Sequence, residues 1–418
     1  MLAYSVGTCS LLLQFTKFAK NGRSRPFFIY GLIIFLFTSF DCFLANDYLT
    51  LVVLRFIQGA SISMAVATCP IFVVQKMPEN IRGTALGTMA AGTGLAMAIG
   101  PSVGGVLAEF ISWHMLFLIN IPIGLAVLIG AIYIIPRDAP GTPGKDPDML
   151  GCIALFAAIT FSLMLMENLT DWGATEIFAT AFIIFIAAAI LIWQTHSDNG
   201  KEPVLPLGLL RSRLFRLIAV SAAIGSMITE GSFYLLPYFM EISWGMSVTE
   251  CGVYFCLVSV TTFTCARLTG KYCNDHSSKN PAICSFISTA VFSLIFAVLI
   301  PGSYLALLIL SACMVGASFA MFETAQYLRM IRNTHPKFRE ESAIMVDVVT
   351  YIGASLGLIF YSIVFDIVVP VAKNGMEHLS ASAMAEGFHA AGLLGIVLSI
   401  IGIAIAMKVP HDKFDEKE

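Results

Sequence analysis

The chain has 418 residues, 57% of them hydrophobic and only 12% charged, with a mean hydropathy of +0.83, which is too apolar for a water-soluble fold of any domain count. A net charge of -3 from 24 basic and 27 acidic residues gives no broad basic surface and argues against nucleic acid as a partner. Most of the cysteines, such as Cys152, Cys256, Cys265 and Cys313, sit singly in apolar runs, and no CxxC or HExxH spacing occurs. We therefore expect no disulfide framework, no metal and no cofactor.

Apolar runs long enough to cross a hydrocarbon core of about 30 Å recur along nearly the whole sequence. They predict an all-α membrane protein with thirteen helices, near 1–16, 27–45, 49–74, 84–108, 114–135, 149–166, 177–194, 217–240, 248–266, 281–300, 303–325, 343–365 and 387–407. If the spans alternate, all 24 basic residues except Arg55, inside a helix, and Lys373 fall on one side together with the C-terminus. By the positive-inside rule that side is cytoplasmic, which gives a multi-pass protein of the inner or plasma membrane with its C-terminus inside. No cleavable signal pattern follows the apolar start. An odd count that begins outside suggests that one N-terminal helix is missing from the chain. The alternative is a thirteen-helix protein whose first span is a reversed anchor.

Composition also marks the domains. The Pro/Gly-rich connector PRDAPGTPGKDPD, 136–148, ends a first bundle at 1–135. Residues 136–216 carry two additional helices and a basic stretch, LPLGLLRSRLF, suited to the membrane surface. A six-helix bundle at 217–408 and a tail at 409–418 complete the chain.

Four groups of residues are candidates for chemistry. Arg55, in LVVLRFIQGAS, lies about 10 Å inside the third helix, and a guanidinium there needs an acidic or carbonyl partner. It serves either a structural pair between helices or proton coupling and gating, with Gln58 and Gly59 on its face. The next helix, GTMAAGTGLAMAIGPSVGGVL, offers Gly92, Gly100, Gly104 and Gly105 for close helix approach and Pro101 for a bend. Glu230 lies near the middle of the eighth helix, with Ser226 and Tyr234 four residues away on the same face. A carboxyl so placed either exchanges a proton for a cation or is a hydrogen-bonded packing acid. Asp347 and Glu323 lie nearer the basic ends of their helices, where structural pairing with arginines competes with a coupling role. Phe233, Tyr234, Tyr238 and Phe322 could line a path for flat apolar cations.

RFIQG at 55–59, GPSVGG at 100–105 and the W-x-x-x-F-x-x-N-x-P-x-G run from Trp113 to Gly124 resemble the fourteen-helix drug:proton antiporters of the major facilitator superfamily, the EmrB/QacA-like family. The stretch Tyr234 to Phe255 is similar to that family around its ninth and tenth helices. The resemblance implies a major facilitator fold on a six-plus-two-plus-six plan. Arg55 falls in its motif B, and Gly100, Pro101, Gly104 and Gly105 fall in the motif C associated with antiporters. The loop after the first helix departs from the family's motif A: FTKFAKNGRS keeps Gly22 and Arg23 but has Phe15 and Ala19 where a glycine and an aspartate belong. Ala96 replaces a motif C glycine.

The resulting expectation is a non-enzymatic, proton-coupled exporter of small amphipathic or cationic compounds that works by alternating access. Arg55, Glu230 and Asp347 would couple or gate, and Gln58, Phe233, Tyr234 and Tyr238 would line the path. A periplasmic adaptor protein is compatible with such an exporter. The alternatives are a proton-coupled transporter of one dedicated metabolite or a non-transporting membrane protein. ATP hydrolysis has no support, because GTPGKD at 141–146 lacks the spacing and the Ser/Thr of a phosphate-binding loop.

Overall fold

The computed structural model describes residues 2–19, 23–110, 112–138, 148–167, 172–196, 207–298, 305–335, 338–369 and 380–412. Among them every regular element is helical. The elements are α1 (Leu2–Ala19), α2 (Ser24–Leu44), α3 (Tyr48–Lys76), α4 (Glu79–Phe110), α5 (Met115–Leu118), α6 (Asn120–Ile134), α7 (Met149–Glu167), α8 (Ala174–His196), α9 (Leu207–Arg211), α10 (Arg213–Tyr238), α11 (Val248–Asp275), α12 (Lys279–Val298), α13 (Leu305–Arg332), α14 (Arg339–Val368) and α15 (Ala381–Lys408). Among the described residues, ten spans are long and apolar enough to cross a membrane.

Each of the thirteen expected helices has a counterpart, and the differences lie at ends and breaks. α11 and α13 run past the expected 266 and 325, so Arg267, Lys271, Arg329 and Arg332 occupy helical turns rather than loops. The apolar run marks only the hydrocarbon-spanning part of a helix that continues beyond it. The expected helix 114–135 is instead divided into α5 and α6 at Ile119. Pro122 accounts for the break, since it has no N–H to give to the carbonyl of Leu118 and its ring crowds that carbonyl. Pro237 acts similarly in α10, whose last residues pass into a π-helical turn, Phe239–Ser243.

Short polar residues start the helices. Asp47 accepts from the Thr50 N–H at 2.7 Å ahead of α3, a bond that holds its carboxyl below the usual carboxylate range. Asp148 accepts from the Gly151 N–H at 3.0 Å ahead of α7. Ser247 and Glu250 form a reciprocal capping box at α11, directly after Gly245, whose φ of 63° suits a residue without Cβ.

The chain divides into two compact units, Met1–Gln75 with Leu107–Leu210, and Lys76–Val106 with Arg211–Glu418. In the first, α1 packs on α7, α7 on α8, and α2 on α5 and α6. Gln14 donates to the Cys152 carbonyl at 2.7 Å across the α1–α7 contact, and Phe56 and Phe156 meet edge to face. In the second, α10 packs on α14, α11 on α13 and α12 on α13 and α15, around a core containing Phe239, Phe286, Phe292, Phe296, Phe365 and Phe388. The rings of Phe239 and Phe388 stack with centroids 4.2 Å apart.

Residues 409–412, the start of the tail expected at 409–418, pack into the second unit. Asp412 accepts from Ser278 N at 2.7 Å and Ser278 Oγ at 2.5 Å, and its carboxylate meets Arg332 at 3.4 Å.

Candidate functional site

In the first unit the polar centre is built on α3. Arg55 Nη1 donates to Gln58 Oε1 at 2.8 Å, one turn along the helix, and Gln58 Nε2 donates to Ser39 Oγ of α2 at 2.7 Å. The guanidinium lies over the rings of Tyr4 and Phe117, with centroids at 4.7 Å and 5.3 Å. Arg55 thus meets a side-chain carbonyl and two aromatic faces, and among the described residues no carboxylate pairs with it. Gln58 is buried and bonded at both ends of its amide, which makes it the strut between α2 and α3. The rings of Trp113 and His114 lie tilted by 30° with centroids 3.7 Å apart, and His114 Nε2 lies 3.3 Å from the Ala45 carbonyl.

In the second unit carboxyl groups from three helices converge. Glu323 of α13 lies within electrostatic reach of Asp347 on α14 and of Glu230 on α10. Asp347 accepts a hydrogen bond at Oδ1 from the Tyr327 hydroxyl, while its Oδ2 is buried without a partner. The neighbouring arginines do not neutralise this group. Arg329 is fully buried and donates to the Ala406 carbonyl at 3.2 Å, and Arg332 turns to Asp412 and to the Cys273 carbonyl at 2.7 Å. Instead of the expected arginine pairing, Asp347 takes a hydrogen bond from Tyr327, and the electrostatic neighbours of Glu323 are the other two carboxyls. Three carboxyls without a basic partner among the described residues require protons or a cationic ligand for charge balance.

Around Glu230 the expected companions separate. Ser226 bonds back to the Ala222 carbonyl at 3.0 Å. Phe233 stacks on Phe255 of α11 at 6.0 Å and is part of the core packing, whereas Tyr234 and Tyr238 meet edge to face at 6.0 Å along another edge of α10. Tyr234 is 38% exposed, so of these aromatics it is the most accessible to a ligand. Phe322 is buried over Gly225, where no side chain would fit.

Gly100, Pro101, Gly104 and Gly105 all lie within α4. A Cβ at Gly92 or Gly100 would meet nothing within 4 Å, so the close approach is made elsewhere on the same helix. A Cβ on Gly83 would stand 2.5 Å from the Gly270 carbonyl oxygen of α11, and one on Gly87 2.5 Å from that of Ala266. Asn274 brackets this contact, donating to Thr84 Oγ1 at 2.7 Å, and Ser259 Oγ donates to the Gly94 carbonyl at 2.5 Å.

The sequence reading did not place Tyr327 at the site. Its spacing of four from Glu323 puts both on one helical face, a signal available in the sequence, but the partner across α14 appears only in the fold.

A bundle of long apolar helices that buries carboxyls inside one unit and brings small residues to a close helix contact is the architecture of a multi-pass membrane transport protein. Residues 1–358 match the family described as Major Facilitator Superfamily, and the chain belongs to it. It is 25% identical over 389 residues to the riboflavin transporter RibZ of Clostridioides difficile (strain 630), spanning 92% of this chain and 83% of that protein. It is 26% identical over 380 residues to Multidrug resistance protein 3 of Bacillus subtilis (strain 168), spanning 87% and 72%. Its fold matches the crystal structure of the human organic anion transporter MFSD10 with a TM-score of 0.64 and 12% identity, over 97% of this chain and 82% of that one. The proton:xylose symporter XylE gives a TM-score of 0.58 at 14% identity, over 98% and 85%.

Proposed function

We propose that this transporter is a proton-coupled antiporter that exports small amphipathic or cationic compounds by alternating access, in the manner of the fourteen-helix EmrB/QacA-like family. The observation that carries the reading is the meeting of Glu230, Glu323 and Asp347 in one unit without a basic partner among the described residues. Such a group binds either protons or a cation, and exchange of one for the other is the elementary step of antiport. Arg55 and its Gln58 strut gate the first unit, Glu230 and Asp347 couple, and accessible Tyr234 with Tyr238 offers aromatic faces to a flat cation. The helices rock about the Gly100, Pro101, Gly104 and Gly105 segment of α4, which stands clear of neighbours at Gly100, while Gly83 and Gly87 hold the same helix against α11. Bundles at 1–135 and 217–408, joined by the two helices of 136–216, form the moving parts. The basic loops set the C-terminus on the cytoplasmic side of the cell membrane. In a double-membrane cell a periplasmic adaptor protein is a further partner.

The relatives named for multidrug resistance support this substrate class. The relative named as a riboflavin transporter supports a second reading, proton-coupled transport of one dedicated metabolite. Transport in everted membrane vesicles separates the two. Gradient-driven ethidium uptake that a protonophore abolishes fits multidrug antiport. Uptake of riboflavin with no movement of ethidium or tetraphenylphosphonium fits the second.

A further inference from the structure

Glu323 and Tyr327 stand one turn apart on α13 and project from the same face. Tyr327 is 8% exposed, and its hydroxyl donates to Asp347 Oδ1 on α14. Glu323 is in electrostatic contact with Asp347 and with Glu230 of α10. Tyr351, one turn along α14 from Asp347, interacts with Tyr327. Among the described residues these are the titratable groups that act on Glu323, Tyr327 and Asp347. α15 also packs on α14, but none of its titratable side chains, Glu386, His389 and Lys408, acts on Asp347.

The bond from Tyr327 distinguishes the two charge states of Asp347, because a phenol donates more strongly to a carboxylate than to a neutral acid. It also fixes the rotamer of Asp347, leaving Oδ2 without a hydrogen bond among the described residues. A second carboxyl beside an ionised one, with no cation in contact, is a costly arrangement in an apolar interior. Mutual repulsion therefore leaves at most one of Glu323 and Asp347 ionised, so the pair holds at least one proton, or a cationic ligand, between them.

We propose that Tyr327 is a positioning residue for coupling: it holds Asp347 against Glu323 so that the two carboxyls take up and release a single proton as one unit. This rests on the proton-coupled reading above and adds the residue that sets its working pH. Glu230, on a different helix, is then the group through which the pair reaches the rest of α10. Entry of a cationic compound displaces the shared proton to water, and its departure readmits one.

The test uses the full chain in proteoliposomes, with ethidium as probe and a pH dye reporting protons released on its addition between about pH 5.5 and 8.5. Tyr327→Phe keeps the ring and its packing and removes only the donor. Losing a donor that favours the ionised carboxylate makes proton release require a higher pH, so the midpoint is expected to move up by about one pH unit. In an Asp347→Asn background the same substitution is expected to produce no further shift. Asp347→Glu, which alters the other end of the bond, serves where Tyr327→Phe is not recovered folded, and it too is expected to shift the midpoint. A profile for Tyr327→Phe that overlays wild type overturns the positioning role, as does an equal shift in the Asp347→Asn background. Wild type that releases no proton with ethidium overturns the coupled reading itself, and this inference with it.

Discussion

Arg332 and Asp412 meet in a buried ion pair, with 3.4 Å between nitrogen and oxygen, although 80 residues separate them along the chain. Asp412 also accepts from Asn333 Nδ2 at 3.3 Å and gives its own N–H to Ser277 Oγ at 3.1 Å. One carboxylate thus joins the segment after α15 to the end of α13 and to the turn between α11 and α12. Removing one partner of a buried pair leaves an uncompensated charge, which typically costs about 3–5 kcal/mol. Asp412→Ala is expected to lower the melting temperature in detergent by several degrees, and Asp412→Asn by less, since an amide oxygen in the place of Oδ2 still accepts from Ser278 N and Oγ. Unchanged melting of both variants would show that the tail contributes nothing.

The α4–α11 contact offers a comparison of two glycines, Gly270 of α11 at the contact and Gly92 of α4 away from it. Gly270→Val places methyl groups against the Gly83 backbone, and overpacking of this kind typically costs about 1–3 kcal/mol. Gly92→Ala, which meets open space, is expected to leave stability unchanged. Thermal unfolding of the two variants side by side checks the assignment, and equal effects at both sites would refute it.

At Arg55 the amide of Gln58 is the element to remove. Gln58→Leu takes the acceptor from Arg55 and the donor from Ser39 at once. Buried groups left unpaired cost about 1–3 kcal/mol each, so lowered stability is expected. Gln58→Glu keeps an acceptor for Arg55 and is expected to retain more of it. Chemical denaturation in mixed micelles gives the ranking, and Gln58→Leu as stable as wild type would contradict the strut.

The helices were legible in the sequence because lipid imposes their length and apolarity, and the motif residues of α3 and α4 led correctly to the superfamily. Their ends were not, since Arg267 and Arg329 continue helices beyond the hydrocarbon run, and the break at Ile119 depends on a proline three residues later. Gly92 and Gly83 look alike in sequence, and only the path of α11 decides which one a neighbour approaches. Asp347 was legible as a buried acid. That its partner is Tyr327 rather than an arginine follows from how α13 is rotated against α14. The burial of Asp412 needed complementary groups far away in sequence, and a charged terminal segment carries no local sign of them.

Proton coupling through the carboxyl cluster is tested most directly by ethidium uptake into everted vesicles under an imposed proton gradient, comparing wild type with Glu230→Gln at matched protein levels. The account predicts uptake by wild type that collapses with the gradient, and loss of most of that gradient-driven component in Glu230→Gln. Equal gradient-driven uptake by the two proteins, or wild-type uptake indifferent to the gradient, would contradict it.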